Sequence, residues 1–221
     1  MRLTIVYDNT VYRTGVDLQS RWGFSCLVET EDDCLLFDTG GDGDVLLHNM
    51  SMLDVQLESI DAIVVSHEHW DHAGGLAMVL KHNQDVTVYR LESPASYAEN
   101  TVVVDEPCRI ADGVYSTGRL HGSPVDEQSL LLRCGERWYV LTGCSHPGVA
   151  AILDAAGEHG RVDGIIGGLH GFDRYRLLEG VSLVCPTHCT RYIDQIRQRF
   201  PEQYVEGGVG RVISLQPGTN V

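Results

Sequence analysis

Residues 66–75 read Ser-His-Glu-His-Trp-Asp-His-Ala-Gly-Gly, and this polar turn lies between two elements of different kinds. It follows residues 62–66, which are apolar until their end and predict a buried strand. It runs into residues 73–82, where apolar side chains recur at i, i+3 and i+4 from Leu76 and predict an amphipathic helix. A strand, a polar turn and a helix in this order are typical of a functional site in an α/β protein.

Four side chains of this turn are of the kinds that bind metal ions. In an extended turn, residues two apart lie on the same side, so His67 and His69 can face one centre. Asp71 and His72 stand at the start of the following helix and can face a second centre. The two glycines that come next allow a close approach of the backbone. The sequence therefore predicts a metal site with two positions.

Both halves of the chain predict a strand hairpin followed by alternating strands and helices. In the first half, residues 23–29 and 34–38 flank an acidic turn, and in the second half residues 129–133 and 138–142 flank the turn Cys-Gly-Glu-Arg. Since no linker or repeat divides the sequence, we expect one domain over residues 1–221. The fold class that this pattern predicts is α/β, with two mixed β-sheets and helices outside them.

Polar motifs also end the apolar strands of the second half. Residues 139–148 read Tyr-Val-Leu-Thr-Gly-Cys-Ser-His-Pro-Gly, which is a strand that ends in a turn carrying a thiol and an imidazole. Residues 184–190 read Val-Cys-Pro-Thr-His-Cys-Thr, and residues 167–170 read Gly-Gly-Leu-His. Because His146 and His188 fall at strand ends in Gly or Pro turns, we expect them near the metal site rather than in the core.

The composition excludes several classes of protein. The 221 residues include 31 acidic and 16 basic side chains, which give a net charge of −15. Nucleic acids are bound by clusters of Lys and Arg, so we expect no nucleic-acid partner. The apolar runs are far shorter than the roughly 20 residues that span a bilayer, and no export signal is visible, so we expect no membrane partner and a cytoplasmic location. Seven cysteines at irregular spacing then indicate reduced thiols.

The motif His67-x-His69-x-Asp71-His72, followed by two glycines, resembles the signature of the metallo-β-lactamase superfamily. Residues 36–40, Leu-Phe-Asp-Thr-Gly, resemble the first motif of that superfamily. The motifs of the second half are similar to a branch grouped with archaeal dihydropteroate-synthase-like enzymes of methanopterin biosynthesis. The resemblance implies a four-layer αββα sandwich of two mixed β-sheets flanked by helices, with two metals bound at the edge between the sheets.

The resemblance also implies a role for the residues of each motif. Asp38 would lie behind the metal ligands and orient them. Imidazole-rich positions with one carboxylate suit two divalent metal ions, Zn²⁺ first and also Fe or Mn. The implied ligands of the first metal are His67, His69 and His146, and those of the second metal are Asp71, His72 and His188.

One position departs from the pattern of many members of the superfamily, and another distinguishes the chain from one branch of it. Many relatives carry an Asp that bridges both metals, whereas Cys144 follows Thr142 and Gly143 here. The Cys144 thiolate can bind a metal, or the thiol can pack beside the site while a water or a substrate oxygen takes the place of the bridge. His69 stands where the flavin-partnered di-iron oxygen reductases of the superfamily have a Glu. That difference favours hydrolytic or Lewis-acid chemistry over redox chemistry.

The remaining candidates lie beside the implied ligands. His170 follows a Gly-Gly turn and is either a proton donor or substrate contact, or a structural residue. Asp71 and His170 are accordingly the candidates for catalytic residues. Cys185 and Cys189 flank His188, which suggests either a thiolate zinc site or packing, and the match of the whole motif to the superfamily favours packing.

These features together predict a dinuclear metal-dependent hydrolase. Two cations about 3.5–4 Å apart lower the pKa of a bridging water towards about 7 and orient it for attack. Either His170 or a metal-bound water would protonate the leaving group. Because the protein is strongly acidic while the site is cationic, we expect a small anionic substrate such as a phosphate ester or a diphosphate. The alternatives are a dihydropteroate-synthase-like transferase that displaces diphosphate from a pterin, and a non-catalytic metal-binding accessory protein. The predicted loop 92–100 is short, which leaves the site open or completed by a second subunit of a homo-oligomer.

Overall fold

The strands of the chain form two β-sheets. The computed structural model describes residues 1–93 and 100–217. The strands of these described residues, numbered in chain order, are β1 (Arg2–Tyr7), β2 (Ser25–Glu29), β3 (Cys34–Phe37), β4 (Ala62–Val64), β5 (Thr87–Arg90), β6 (Thr101–Val103), β7 (Cys108–Ala111), β8 (Val114–Ser116), β9 (Leu130–Cys134), β10 (Arg137–Thr142), β11 (Val162–Gly168), β12 (Leu183–Thr187) and β13 (Val212–Ser214).

Each sheet is mixed, as the sequence predicts. The first sheet has the order β13-β1-β2-β3-β4-β5-β6, in which β3 to β6 run parallel and the other pairs are antiparallel. The second sheet has the order β12-β11-β10-β9-β8-β7, in which β10 to β12 run parallel. The parallel strands of both sheets are followed by the polar motifs, so these motifs gather at the carboxyl ends of the strands.

Helices cover the outer faces of both sheets. Along β3, Leu35 and Phe37 face the core between the sheets, whereas Leu36 packs outward in one cluster with Leu46 and Val79. A third cluster joins the outer face of the second sheet to its own helices. The fold is therefore the predicted four-layer αββα sandwich. Its helices are α1 (Gly43–Met52), α2 (Trp70–Ala73), α3 (Leu76–His82), α4 (Val149–Gly157) and α5 (Ile193–Arg199), with 3₁₀ turns at Leu57–Ser59 and Tyr175–Leu178.

The helix predicted over residues 73–82 is wrong in its extent, because two helices replace it. The first, α2, already begins at Trp70, and α3 begins only after Gly75. A Cβ on Gly75 would lie 2.3 Å from the carbonyl oxygen of Thr39. The backbone after β3 thus packs directly against the break between the two helices, and this approach requires glycine.

The sequence did not predict two short strands, and one predicted loop falls largely outside the described residues. The strands β7 and β13 carry few apolar side chains in a row, and each is held by pairing with a neighbouring strand. The predicted loop 92–100 falls largely on residues 94–99, which lie outside the described residues.

Across residues 1–93 and 100–217, no helix combines the length and the apolar composition that crossing a membrane requires.

Candidate metal centre

The motif side chains meet where loops from both sheets come together. Asp38 follows β3, residues 66–72 follow β4, and residues 143–146 follow β10. The turn of residues 66–69 is extended as predicted, because Glu68 turns outward to pair with Arg90 while its neighbours on either side face inward. The two sheets therefore contribute side chains to one cluster.

Asp38 holds the cluster from behind. Its carboxylate is fully buried and accepts hydrogen bonds from the backbone N–H and the hydroxyl of Ser66, at 2.7 and 2.8 Å. It also lies 2.7 Å from Nδ1 of His72. Because a carboxylate accepts, Nδ1 of His72 donates and Nε2 keeps its lone pair. The orienting contact predicted for Asp38 is present, although burial raises the pKa of its carboxyl group.

The first candidate ligand group contains the three histidines that the sequence assigns to the first metal. Nε2 of His67 lies 3.1 Å from Nδ1 of His69, and the ring of His146 lies 4.8 Å and 4.9 Å from the rings of His67 and His69. Burial, with the neighbouring imidazoles, lowers the pKa of His67 and keeps it neutral. Both ring nitrogens of His146 are buried and have no hydrogen-bond partner.

The second candidate ligand group contains Asp71, His72 and His188. Nε2 of His72 lies 3.2 Å from Nε2 of His188, and Oδ2 of Asp71 lies 3.4 Å from the same atom of His188. Burial opposes ionisation of Asp71, but the hydrogen bond with His188 and the charge of His72 outweigh it and hold the pKa of Asp71 below its ordinary value.

Cys144 lies between the two groups. Its Sγ is 3.1 Å from Nε2 of His72. On one side, the Cys144 Sγ and a ring nitrogen each of His67 and His146 lie within 4.8 Å of one another. On the other side, the same holds for the Sγ and a ring nitrogen each of His72 and His188. The structure thus places the thiol among the candidate ligand atoms, where the sequence left open a ligand or a packing role.

The chemistry of these donors fits metal ions. Nδ1 of His72 donates to Asp38, and Nδ1 of His188 faces the amide oxygen of Asn9 at 3.2 Å. The two Nε2 atoms are left to face each other beside the Asp71 carboxylate, so that either an added proton or a metal ion must lie among them. Such an arrangement of lone pairs is unfavourable unless a cation lies among them. The unpartnered nitrogens of His146 indicate the same for the first group.

Backbone strain is concentrated at this site. A left-handed φ, between 45° and 64°, occurs at four residues of the site: Asp38, Ser145, His170 and His188. Residues other than Gly seldom adopt this backbone conformation. Hydrogen bonds hold these conformations: the Asp8 carboxylate accepts from the N–H of His188 at 3.1 Å. Strain of this kind is retained where a site needs a particular side-chain direction.

His170 and Cys189 complete the open side of the cluster. The exposed ring of His170 lies 4.6 Å from the ring of His146. A hydrogen bond with Cys189 raises the pKa of His170. Cys185 is buried in the core between the sheets, as predicted, but Cys189 lies with Cys144 and His170. Cys189 therefore lies beside the candidate ligands, where both of the roles considered for it remain available.

Sequence reasoning also missed Glu127, a fully buried carboxylate that holds the loop after β10. Its Oε1 accepts hydrogen bonds from the backbone N–H groups of Gly143, Cys144 and Ser145 at 3.0, 2.8 and 3.1 Å. Its Oε2 accepts from the N–H of His146 at 2.8 Å. One side chain thus fixes the backbone that presents Cys144 and His146.

Trp22 and Asn9 position the second group and were missed as well. The indole N–H of Trp22 donates to Oδ2 of Asp71 at 2.8 Å, and its ring lies 5.1 Å from that of His188. The side-chain amide of Asn9 donates to the carbonyl of His188 at 2.8 Å. Neither residue belongs to a motif, so only their contacts across the sequence reveal this role.

A sandwich of this topology with paired ligand groups at its loop edge defines a class of metal-dependent proteins. The chain belongs to the metallo-β-lactamase superfamily, whose family pattern matches residues 23–174. Proteins of this fold bind divalent metals such as Zn²⁺.

Comparisons with particular proteins extend over nearly the whole chain. A 7,8-dihydropterin-6-methyl-4-(beta-D-ribofuranosyl)-aminobenzene-5'-phosphate synthase from Methanocaldococcus jannaschii is 24% identical over 266 aligned positions, which cover 89% of this chain and 90% of the relative. A solved structure described as a metal-dependent hydrolase of the β-lactamase superfamily has a TM-score of 0.75 and 26% identity, covering 98% of this chain and 99% of the other. A diphosphatase from the PhnP family shares the fold, with a TM-score of 0.62, 16% identity and 98% coverage of both chains.

Proposed function

We propose that this protein is a dinuclear metal-dependent hydrolase that acts on a small anionic substrate, a phosphate ester or a diphosphate. The observation that carries the proposal is the position of Cys144, whose Sγ lies within 4.8 Å of ligand atoms from both candidate ligand groups. Two groups that share one thiol can hold two cations close together. The superfamily to which the chain belongs consists mostly of hydrolases, which supports the reaction class.

The cluster divides into two ligand sets in this proposal. Two divalent cations, Zn²⁺ or in its place Fe or Mn, would act as Lewis acids and lower the pKa of a water between them. Asp38 holds His72 by a hydrogen bond at 2.7 Å, which aims Nε2 at the cation position. The first cation would be held by His67, His69 and His146, the second by Asp71, His72 and His188, and Cys144 would be available to both.

Asp71 and His170 supply the proposed proton chemistry. The pKa of Asp71 lies below its ordinary value, so its carboxylate stays charged and can orient the attacking water. The raised pKa of His170 keeps its ring protonated to a higher pH, as a donor to the leaving group requires. Its exposed ring beside His146 supports this role, since the leaving group must reach it from the open side.

The charge distribution supports the substrate class. With a net charge of −15, the protein offers an anion little attraction except at a pair of bound cations. The diphosphatase among the structural neighbours is consistent with phosphate chemistry on this fold. We further propose a cytoplasmic protein without nucleic-acid or membrane partners, whose site is either open to solvent or completed by a second copy of the chain.

The second candidate function is a transferase that displaces diphosphate from a pterin. The name of the M. jannaschii relative, a dihydropterin-linked synthase, favours it. The same two ligand groups would stabilise a departing diphosphate, and an amine would replace water as the nucleophile. A metal-binding accessory protein without turnover is the third candidate.

A substrate panel tests the proposal. Metal-loaded protein is assayed with phosphomonoesters, phosphodiesters, diphosphates, lactones and thioesters, and with a pterin diphosphate in the presence and absence of an arylamine. We expect hydrolysis of a phosphate substrate, lost in the His67→Ala, His69→Ala double variant and retained in His82→Ala, which changes an exposed histidine at the end of α3. Release of diphosphate only when the amine is present would establish the transferase instead. No turnover of any substrate would leave the accessory role.

A further inference from the structure

A third group of ligand atoms lies on the open side of Cys144. The Sγ atoms of Cys144 and Cys189 and a ring nitrogen of His170 all lie within 4.8 Å of one another. Cys189 and His170 belong to neither of the two imidazole groups. This group is therefore a separate set of donors that shares only one atom with the proposed dinuclear centre.

The sheet fixes the distance between the two loops that carry this group. His170 follows β11 and Cys189 follows β12, and these parallel strands pair up to Gly168 and Thr187. Beyond the strands, the N–H of Arg191 donates to the carbonyl of His170 at 2.7 Å. The loops are thus held in register, and the two side chains face each other without any contribution from a flexible segment.

Gly168, at the end of the neighbouring strand β11, leaves room for the Cys189 thiol. A Cβ on Gly168 would lie 2.7 Å from Sγ of Cys189 and 3.3 Å from Cα of Cys144. Any larger residue at position 168 would therefore displace the Cys189 side chain from this position. Cys189 is half-buried and His170 is exposed, so an ion can enter from solvent and keep a water as a further ligand.

Two thiols and one imidazole form a softer donor set than the imidazoles and carboxylate of the neighbouring groups. Thiolate ligands favour Zn²⁺ and other thiophilic cations over Mn²⁺ or Mg²⁺. Tetrahedral Zn²⁺ places sulfur at about 2.3 Å and nitrogen at about 2.0–2.1 Å, so modest side-chain rotation would close this group around an ion. We propose that Cys144, Cys189 and His170 form a separate site for one thiophilic divalent cation, Zn²⁺ or Cd²⁺.

A cation bound at this site would affect the proposed hydrolysis. A cation bound to His170 removes the proposed proton donor, so an excess of Zn²⁺ would inhibit hydrolysis. That consequence rests on the proposed function, whereas the site itself does not.

Cadmium titration tests the site without reference to turnover. Chelator-treated, reduced protein is titrated with Cd²⁺ under anaerobic conditions, and the ultraviolet charge-transfer absorption from thiolate to cadmium is recorded. We expect an intensity that corresponds to two thiolates, and about half of it in the Cys189→Ser variant. The matched control is Cys108→Ser, which changes a half-buried thiol on β7 and should leave the band unchanged. A Cys189→Ser band equal to that of wild type would overturn the proposal.

A second measurement uses the wild-type chain alone. Saturating Cd²⁺ should protect Cys144 and Cys189 together from alkylation, as read by mass spectrometry of their peptides. A Cys189 that stays reactive would contradict the site even if the serine variant failed to fold. Conversely, cadmium protection of both thiols in a protein that hydrolyses nothing would sink the proposed function and leave this site standing.

Discussion

Glu127 decides where Cys144 and His146 stand, although it touches no candidate metal position itself. Its two carboxylate oxygens accept hydrogen bonds from four successive backbone N–H groups, those of residues 143–146. A carboxylate suits this cradle because both of its oxygens only accept. The Glu127 side chain is also fully buried, so each of these contacts is made out of reach of water.

Replacing Glu127 by Gln tests this positioning role. The amide would turn an N–H towards the N–H of His146 or of its neighbours, so one donor would lose its acceptor. We expect stability to fall by about 1–3 kcal/mol and metal affinity to fall by roughly 10–100-fold. Urea unfolding and metal titration measure the two effects. Glu136→Gln, at an exposed turn between β9 and β10, is the control, and an equal effect in both variants would refute the role of Glu127.

Asp8 makes a contribution to folding stability whose pH dependence is opposite to that of most carboxylates. Burial raises its pKa to about 6, against 3.8 ordinarily, even though it accepts from the N–H groups of Asn9 and His188. The folded state thus holds this proton more tightly than the unfolded state does. The contribution of Asp8 to stability is present at low pH and is lost as pH rises from about 4 to 6.

The Asp8→Asn variant removes this titration and keeps the accepting oxygen. We expect the stability of the variant relative to wild type to increase by about 1–2 kcal/mol between pH 5 and pH 8. Urea unfolding of chelator-treated protein at both pH values checks the difference. Asp85→Asn, at an exposed position before β5, should show no such trend. A relative stability that falls with pH would mean that Asp8 is not held in its neutral form.

At the scale of elements, the site depends on how closely the loop after β10 meets the loop after β4. Gly143 lies against Ser66, whose hydroxyl donates to Asp38. A Cβ at position 143 would lie 2.3 Å from that hydroxyl oxygen and 3.1 Å from Oδ2 of Asp38. The absence of a side chain therefore lets the two sheets bring their ligand groups together.

Alanine at position 143 should separate these loops. Overpacking at such a contact costs about 1–3 kcal/mol. Displacement of the Ser66 hydroxyl would also remove its hydrogen bond to the Asp38 carboxylate, which holds His72. We expect lower stability by urea unfolding together with weaker metal binding. Gly157→Ala is the control, because a Cβ there meets nothing within 4 Å at the end of α4, and it should leave stability unchanged or slightly raised. Unaltered metal binding in Gly143→Ala would show that the contact is dispensable.

At the scale of the whole molecule, local patterns predicted the two mixed sheets and the placement of the motifs. His67 and His69 could be paired from sequence because their spacing alone fixes the side on which they lie. Glu127 and Trp22 could not, since their partners are distant in the sequence and are reached only through sheet pairing. For the same reason the edge strands β7 and β13 escaped prediction, whereas the apolar strand β4 did not.

In the folded protein, five imidazoles lie together with the side chains of Asp71 and Cys144, those of His67, His69, His72, His146 and His188. The net charge of the whole protein is −15. Ring nitrogens of these histidines face one another or lack a hydrogen-bond partner, an arrangement that bound cations would stabilise. Metal binding should therefore stabilise the folded chain, in addition to any part it has in the proposed hydrolysis.

Metal analysis of the purified protein is the most direct test of this account. Elemental analysis of wild type is compared with the His67→Ala, His69→Ala double variant and with His82→Ala, each first shown to be folded. We predict at least two divalent metal ions per chain in wild type and in His82→Ala, and a loss of at least one in the double variant. Absence of metal from wild type after incubation with Zn²⁺, or equal metal content in the double variant, would contradict the central claim.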